Sequence, residues 1–355
     1  MKLKQTALAA ALAATMAMGV SGQALATVYA GSSLRIENLI ILIGQATGGT
    51  TILPTGDSIP TITPGQANVT IFNFNLTNTA TLAGNSEVQS ATCSGTPGSN
   101  TCSPAPNPPL DALAANALGS TLTRPNNAVG GDGSLLWYAL NSGDWSNADS
   151  IIKTAQLVDG VPTSTDQIAQ SNITTQLIAA ANAEVKSSTG FSFQFTLADP
   201  GEMVIYFQAD PDMIAEISGE PFGALAQANM NVSMTLSQNT GGLGFANWAP
   251  RGDMANSCLF SGVSCSELYD TQNLNNNVST SALPNSQATH SYDANDLQLS
   301  SFGVYLTGLS AGTWTFALNA VTSTLLTRQV PEPGVLGLLG LGLAGMGLAL
   351  RRRRA

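Results

Sequence analysis

The densest run of reactive side chains is "LADPGEMVIYFQADPDMIAEISGE", which carries Asp199, Glu202, Asp210, Asp212, Glu216 and Glu220. Two acids facing each other ~5–10 Å apart across a cleft are the machinery of glycoside hydrolysis. The same groups also supply hard oxygen ligands to Ca²⁺, which takes six to eight. Neither the spacing nor the glycine placement fits an EF-hand, and the plain reading is a set of solvated turn and loop acids. His290 is the sole histidine, so any Ser-His-Asp or Cys-His site would have to be built on it. It lies in the polar stretch "NSQATHSYDAND", which holds no nucleophile motif such as G-x-S-x-G, and is expected to be a solvated loop histidine. No catalytic set emerges, and the chain reads as a non-enzyme without a cofactor or metal site.

Aromatic residues beside acids and amides are a second kind of binding chemistry, because ring faces stack on sugars. "GGDGSLLWYALNSGDW" offers Trp137, Tyr138 and Trp145 around Asp132, and "FANWAPRGD" offers Trp248. Large aromatics are more commonly core or loop anchors. The "RGD" at 251–253 is treated as a coincidence of three residues. The four cysteines form two local pairs, Cys93/Cys102 and Cys258/Cys265. Disulfides are the natural reading in an exported chain, each stabilising by roughly 2–3 kcal/mol in the chain-entropy model. A zinc site is the alternative, though the C-x8-C and C-x6-C spacings are too long for a knuckle. Bridges this short are expected to pin loops.

The elements that must hold these residues show period-two alternation, which sends one side-chain set to each face of a strand. "FNFNLTN", "FSFQFTL", "NVSMTLS" and "TWTFALNA" all follow it, and the apolar run in "IENLIILIG" suits a central strand. "FSFQFTL-ADPGE-MVIYFQA" (191–208) reads as a hairpin, with Pro200 and Gly201 placed for a type II turn. "SFGVYLTGLSAGTWTFAL" reads as a second hairpin. Helical patterning is confined to "LDALAANAL" (110–118) and to 164–188, where Ser164 or Thr165 could cap a face of Ile168, Leu177, Ile178 and Ala181. These features predict an all-β, antiparallel, jelly-roll-like β-sandwich body over 27–328 with one or two inserted helices and long polar loops near 77–135 and 238–295.

Both ends differ from this body. Residues 1–26 have a lysine-bearing start, an apolar core and the small-residue triplet Ala24 to Ala26, which is the form of a cleaved signal peptide. An N-terminal anchor helix is the alternative, for which the apolar run is short. Setting aside 1–26 and 331–355 leaves six basic and 21 acidic residues, a formal charge of −15 against −10 for the whole chain. That charge disfavours nucleic acid and anionic membrane surfaces as partners. At the other end, "VPEPG" is followed by sixteen apolar residues (335–350) and then Arg351, Arg352, Arg353 and Arg354. An apolar segment closed by arginines behaves as a stop-transfer element with its basic end in the cytoplasm. Charge and length alone fit a permanent anchor equally well.

The ordered tail, 329–355, resembles the PEP-CTERM sorting signal of Gram-negative bacteria. The resemblance implies that an exosortase in the inner membrane cleaves near Pro331, Glu332 and Pro333, preceded by Val330, after a transient membrane insertion through the apolar helix. The body then passes to the cell surface or extracellular matrix. Pro331 and Pro333 keep that stretch extended and non-helical, as a protease substrate should be. "YAGSSLRIENL", "FSFQFTLADPGEMVIYFQADPDMIAEI" and "GLSAGTWTFAL" further resemble a group of exosortase-dependent surface proteins, which implies a β-rich fold and a surface address. The expected role is structural or adhesive within biofilm or exopolysaccharide. The alternative is a carbohydrate- or calcium-binding module in the same material.

Overall fold

The computed structural model describes residues 27–329 apart from 65–66, 83–84, 97–98, 104–109, 116–142, 153–163, 175–179, 220–222, 241, 255–256, 282–284 and 293–297. Its strands form two sheets in which every pairing is antiparallel. The first sheet runs β14 (Ser264–Asp270), β17 (Ser300–Leu309), β10 (Gly201–Ser218), β1 (Thr27–Ile52), β8 (Thr165–Ile173), β7 (Trp145–Ile152) and β6 (Leu110–Ala115). Onto it β16 (Ser286–His290) pairs with β10, and β2 (Ser58–Pro64) pairs with β1. The second sheet runs β13 (Cys258–Ser261), β12 (Phe245–Trp248), β11 (Leu225–Gln238), β18 (Gly312–Gln329), β9 (Ala180–Leu197), β3 (Ala67–Leu82), β4 (Asn85–Thr96) and β5 (Ser99–Ser103), with β15 (Asn277–Ser281) on β11. The all-β sandwich-like arrangement expected from the alternation is present.

The core is the meeting of the two inner faces. Phe191, Phe193, Phe195 and Leu197 of β9 are buried, as are Val232, Met234 and Leu236 of β11 and Trp314, Phe316 and Leu318 of β18. They meet Leu34, Ile36, Met203, Ile205 and Phe207 from the first sheet. Phe193 and Phe316 lie 5.1 Å apart between ring centroids, and Phe207 stacks on Phe302 at 5.1 Å, spacings at which aromatic pairs add to their area burial. The apolar run of β1 is indeed central. A bulge between Glu37 and Ile40, with Asn38 at φ 52°, resets the register and turns Ile40 and Leu42 outward. There they pack under β2 with Leu53, Ile59, Ile62, Val204 and Tyr206, so both faces of this stretch are covered and the sequence reads as continuously apolar.

Four expectations are corrected. Residues 110–115 and, within 164–188, Thr165–Ile173 and Ala180–Ser188 are strand, not helix. β8 is hydrogen-bonded on both sides, to β1 and β7, and that pairing overrides the local helical pattern. The supposed loops 77–135 and 238–295 contain the end of β3, all of β4–β6 and all of β12–β16. The two supposed hairpins are arches: β9 and β18 belong to one sheet, while β10 and β17 belong to the other. Gly201 is not at positive φ as a type II turn would require. It is glycine because a Cβ there would meet the Gly44 carbonyl oxygen at 2.9 Å.

The short disulfide also does more than pin a loop. Cys258 and Cys265 are bonded across only seven positions, yet Cys258 lies on β13, at the edge of one sheet, and Cys265 on β14, at the edge of the other. The bridge therefore joins the two sheets along one side of the sandwich. Cys93 and Cys102 occupy directly opposed positions in the β4–β5 ladder. Replacing Cys258 and Cys265 together by serine is expected to lower stability by about 2–3 kcal/mol, read as a shift of the urea midpoint, with the β content by circular dichroism unchanged.

Candidate functional site

Among the described residues one group of carboxylates converges. Asp253, Glu267 and Asp270 each present an oxygen within 4.8 Å of the others. Two come from β14 and one from the turn after β12. Residues three apart on a regular strand face opposite ways, but the β14–β17 register slips between Glu267 and Tyr269. Glu267 then pairs with Val304 and Asp270 with Phe302, both core-facing, so the slip puts the two acids on one face. The disulfide from Cys265 to Cys258 holds the same corner shut.

Each acid is engaged by the polypeptide. The two oxygens of Asp270, a fully buried residue, accept the backbone N–H groups of Arg251 at 3.0 Å and Gly252 at 2.9 Å. Glu267 accepts the indole N–H of Trp248 at 2.9 Å, the Ser257 N–H at 2.9 Å and the Ser257 hydroxyl. Gly252 sits at φ 74°, and a Cβ would lie 2.8 Å from the carbonyl carbon of Gln272, so only glycine fits this turn. Burial pushes the Asp270 carboxyl above its ordinary range; the backbone donors of Gly252, Arg251 and Asp253 pull it down, and the charge of Glu267 adds to the rise. Chemically the cluster is an anchor that folds the 251–253 turn onto the edge of β14. Its oxygens are also the kind that a hard cation takes.

The other candidates are dispersed. Glu202, Asp210, Asp212 and Glu216 alternate along one outward face of β10, and Asp199 is exposed in the arch. From Glu202 to Glu216 a strand runs roughly 45 Å, so the four cannot share one site; only Asp210 and Asp212, two residues apart and both buried, are close neighbours. Glu202 accepts the Tyr305 hydroxyl, and this partner together with burial pushes that phenol up to about 12, burial contributing most. Asp210 lies opposite Arg35 and Asp212 opposite Ser33 across the β1 ladder. Arg35 also pairs with Glu37. His290 is at the end of β16, where its Nε2–H donates to the Asn273 carbonyl at 3.1 Å.

Trp145 and Trp248 are 1% and 2% exposed, so neither offers a ring face to a sugar. Trp248 packs edge-on against Phe207 at 6.2 Å. Of the acidic cluster, Asp253 was visible only as part of "RGD", and Glu267 and Asp270 carried no spacing signal, because a register slip creates their proximity. Trp137, Tyr138, Asp132, Glu220, Ala24, Ala26, Val330, Pro331, Glu332, Pro333 and Arg351 to Arg354 lie outside the described residues.

A family model, the PEP-CTERM protein-sorting motif, matches residues 329–354. The chain carries a PEP-CTERM sorting signal. The PEP-CTERM match marks the protein for export and for processing by an exosortase, and it spans the tail alone. Its first matched residue, Gln329, is the last residue of β18. Among the described residues no helix is long and apolar enough to cross a membrane. No curated protein matches the chain. Of solved structures, infectious bursal disease virus strains Gx and Gt align over 90% of this chain and 86% and 85% of theirs, at 9% and 10% identity. Their TM-scores of 0.10 and 0.07 are too low to inform the fold.

Two outcomes follow for the acidic corner. Asp270→Ala removes the acceptor of two backbone N–H groups and is expected to cost about 2 kcal/mol, measured by urea denaturation. The second concerns pH. The folded state holds the Asp270 proton to higher pH than the unfolded chain does, so this group's contribution is fully present below ~pH 4 and is lost as pH rises through the folded value. The wild-type minus Asp270→Asn difference in unfolding free energy should therefore fall as pH is raised through that window; a difference that rises would contradict the desolvated carboxyl.

Proposed function

We propose that this is a structural, non-enzymatic protein of the cell surface or extracellular matrix, sorted through transient inner-membrane insertion of its tail and released by an exosortase near Pro331, with a role in biofilm or exopolysaccharide. The observation that carries the reading is the PEP-CTERM motif, joined without a spacer to the last strand of a closed sandwich. The exit points of the chain support it. Thr27 pairs with Ser218, and Thr327 pairs with Leu225. The short 219–224 connection links those two partners, so the first and last strands leave the body at one end. A body with both export segments at one end folds completely while its tail is still held. Residues 330–334 span at most ~17 Å, which keeps that end close to the membrane and to a membrane-embedded protease.

The acids and the histidine support a non-catalytic role through what they touch, since the described ones with named partners are bound to backbone or to neighbouring side chains. A calcium-dependent role is the second reading, and the convergence of Asp253, Glu267 and Asp270 favours it. A native-state ligand raises the melting temperature by mass action. A rise on adding Ca²⁺ that Asp253→Asn abolishes would bring this reading forward.

The deciding experiment is the intact mass and C-terminal peptide of the native protein in membranes and in spent medium. The expected result is a soluble species ending near Pro331 that lacks 335–350 and the arginines. Glu332→Ala is expected to leave the tail attached and the protein in the membrane fraction. A wild-type protein found only in the inner membrane with Arg351 to Arg354 intact would overturn the release step.

A further inference from the structure

The outer face of the second sheet is built differently from the rest of this acidic body. Its inward partners are the buried core residues of β9, β11 and β18, so the alternate positions face solvent. Across strands the register aligns them in rows. One row is Ser233, Asn319, Gly190, Asn75 and Thr92, from β11 through β18, β9 and β3 to β4. The next is Thr235, Ala317, Ser192, Asn73 and Ser94. No residue in these rows is charged, and neither are the flanking outward residues Ser237, Thr315 and Gln194 on one side and Asn231, Val321 and Thr77 on the other. Charge returns at the next positions along β9, Lys186 opposite Ser323 and Thr79 and then Glu184 opposite Leu325 and Thr81.

Strands ~4.8 Å apart with an outward residue every ~6.7 Å make a regular lattice of hydroxyls and amides. Ser, Thr and Asn side chains each donate and accept hydrogen bonds, as sugar hydroxyls do, whereas a carboxylate only accepts and an ammonium only donates. Asn75 and Asn319 are exposed on either side of Gly190. A Cβ on Gly190 would meet the Asn319 Oδ1 at 3.4 Å. The missing side chain therefore leaves a shallow notch between two amides, with the Asn319 amide leaning over it and the Asn75 Cβ 3.9 Å from the same point. The two rows from β11 to β4 contain no aromatic or arginine of the kind that dominates protein interfaces and no cation to hold a polyanion; the flanking row ends in exposed Ile71 on β3 and exposed Phe245 on β12.

We infer that this face is a binding surface for an uncharged polysaccharide, lying across β18, β9 and β3 with the Asn319–Gly190–Asn75 notch at its centre. This rests on the matrix role above and names its partner. Charge points the same way, because a neutral polymer meets no repulsion here, although the body carries −15. Contacts of this kind are individually weak and add along a repeating chain.

The test uses the protein recovered, in detergent where needed, from whichever fraction holds it, so that its outcome is independent of tail processing. Retention is measured on cellulose, dextran and mannan as neutral probes and on alginate as a polyanion. The expected result is retention on a neutral polymer that is unchanged between ~0.05 and ~0.5 M NaCl. Asn75→Ala with Asn319→Ala should weaken it roughly tenfold or more, and Ser192→Arg should do the same, with melting temperatures close to wild type because both changes are at the surface. Three results would overturn the inference. One is no retention on any neutral polymer; another is retention that neither variant reduces. The third is binding to alginate alone that salt abolishes. A dimer in sedimentation that Ser192→Arg dissociates would give the face to a second copy instead and overturn it equally.

Discussion

The structure depends on one constraint: each strand of the second sheet has a single apolar face, and that face is stable only against another sheet. β9, β11 and β18 bury every second residue and expose the rest. Such a sheet cannot pay the entropy of folding alone, and it must be covered by β1, β10 and β17. The chain meets this by changing sheets at several of its connections. β9 passes to β10, β10 to β11, and β17 to β18, each time crossing the core instead of folding back beside itself. The strands of these pairs are therefore opposed across the core, and the long central pairings join segments distant in sequence, such as β1 with β10 and β9 with β18. Others, such as β3 with β4 and β7 with β8, join consecutive strands.

The edges follow from the same constraint. Two stacked sheets gape unless their edges are tied, and here the tie on one side is covalent. Cys258–Cys265 bridges β13 and β14, and Glu267 reaches from β14 to the indole of Trp248 on β12. Asp270 then fixes the 251–253 turn over the joint. The corner that gathers the most carboxylates is thus also the corner that closes the sandwich. That is a structural reason for acids to converge in a protein otherwise spread with negative charge.

The separation of charge has a functional meaning. A body of net −15 is repelled by anionic surfaces, while the rows through Gly190 and Ser192 on one face carry no charge. The first and last strands leave from one end of the body, so the broad faces of the sandwich run along its sides.

By itself the sequence determined the all-β class, the central place of the apolar stretch in β1, the pairing of Cys258 with Cys265 and the sorting tail, because strand period, apolar runs and ordered end segments are local properties. It did not determine partners. Period-two alternation is the same in a hairpin and in an arch, so "FSFQFTL-ADPGE-MVIYFQA" read as the former and folded as the latter. "STDQIAQSNI" opened a stretch with a helical apolar pattern, and only hydrogen bonding to β1 and β7 on either side made it a strand. The convergence of Asp253, Glu267 and Asp270 required a register slip, and the uncharged rows required five strands in a particular order. Tertiary structure decided these because each depends on which distant segment lies alongside, and a backbone hydrogen-bond ladder accepts any sequence whose buried face fits.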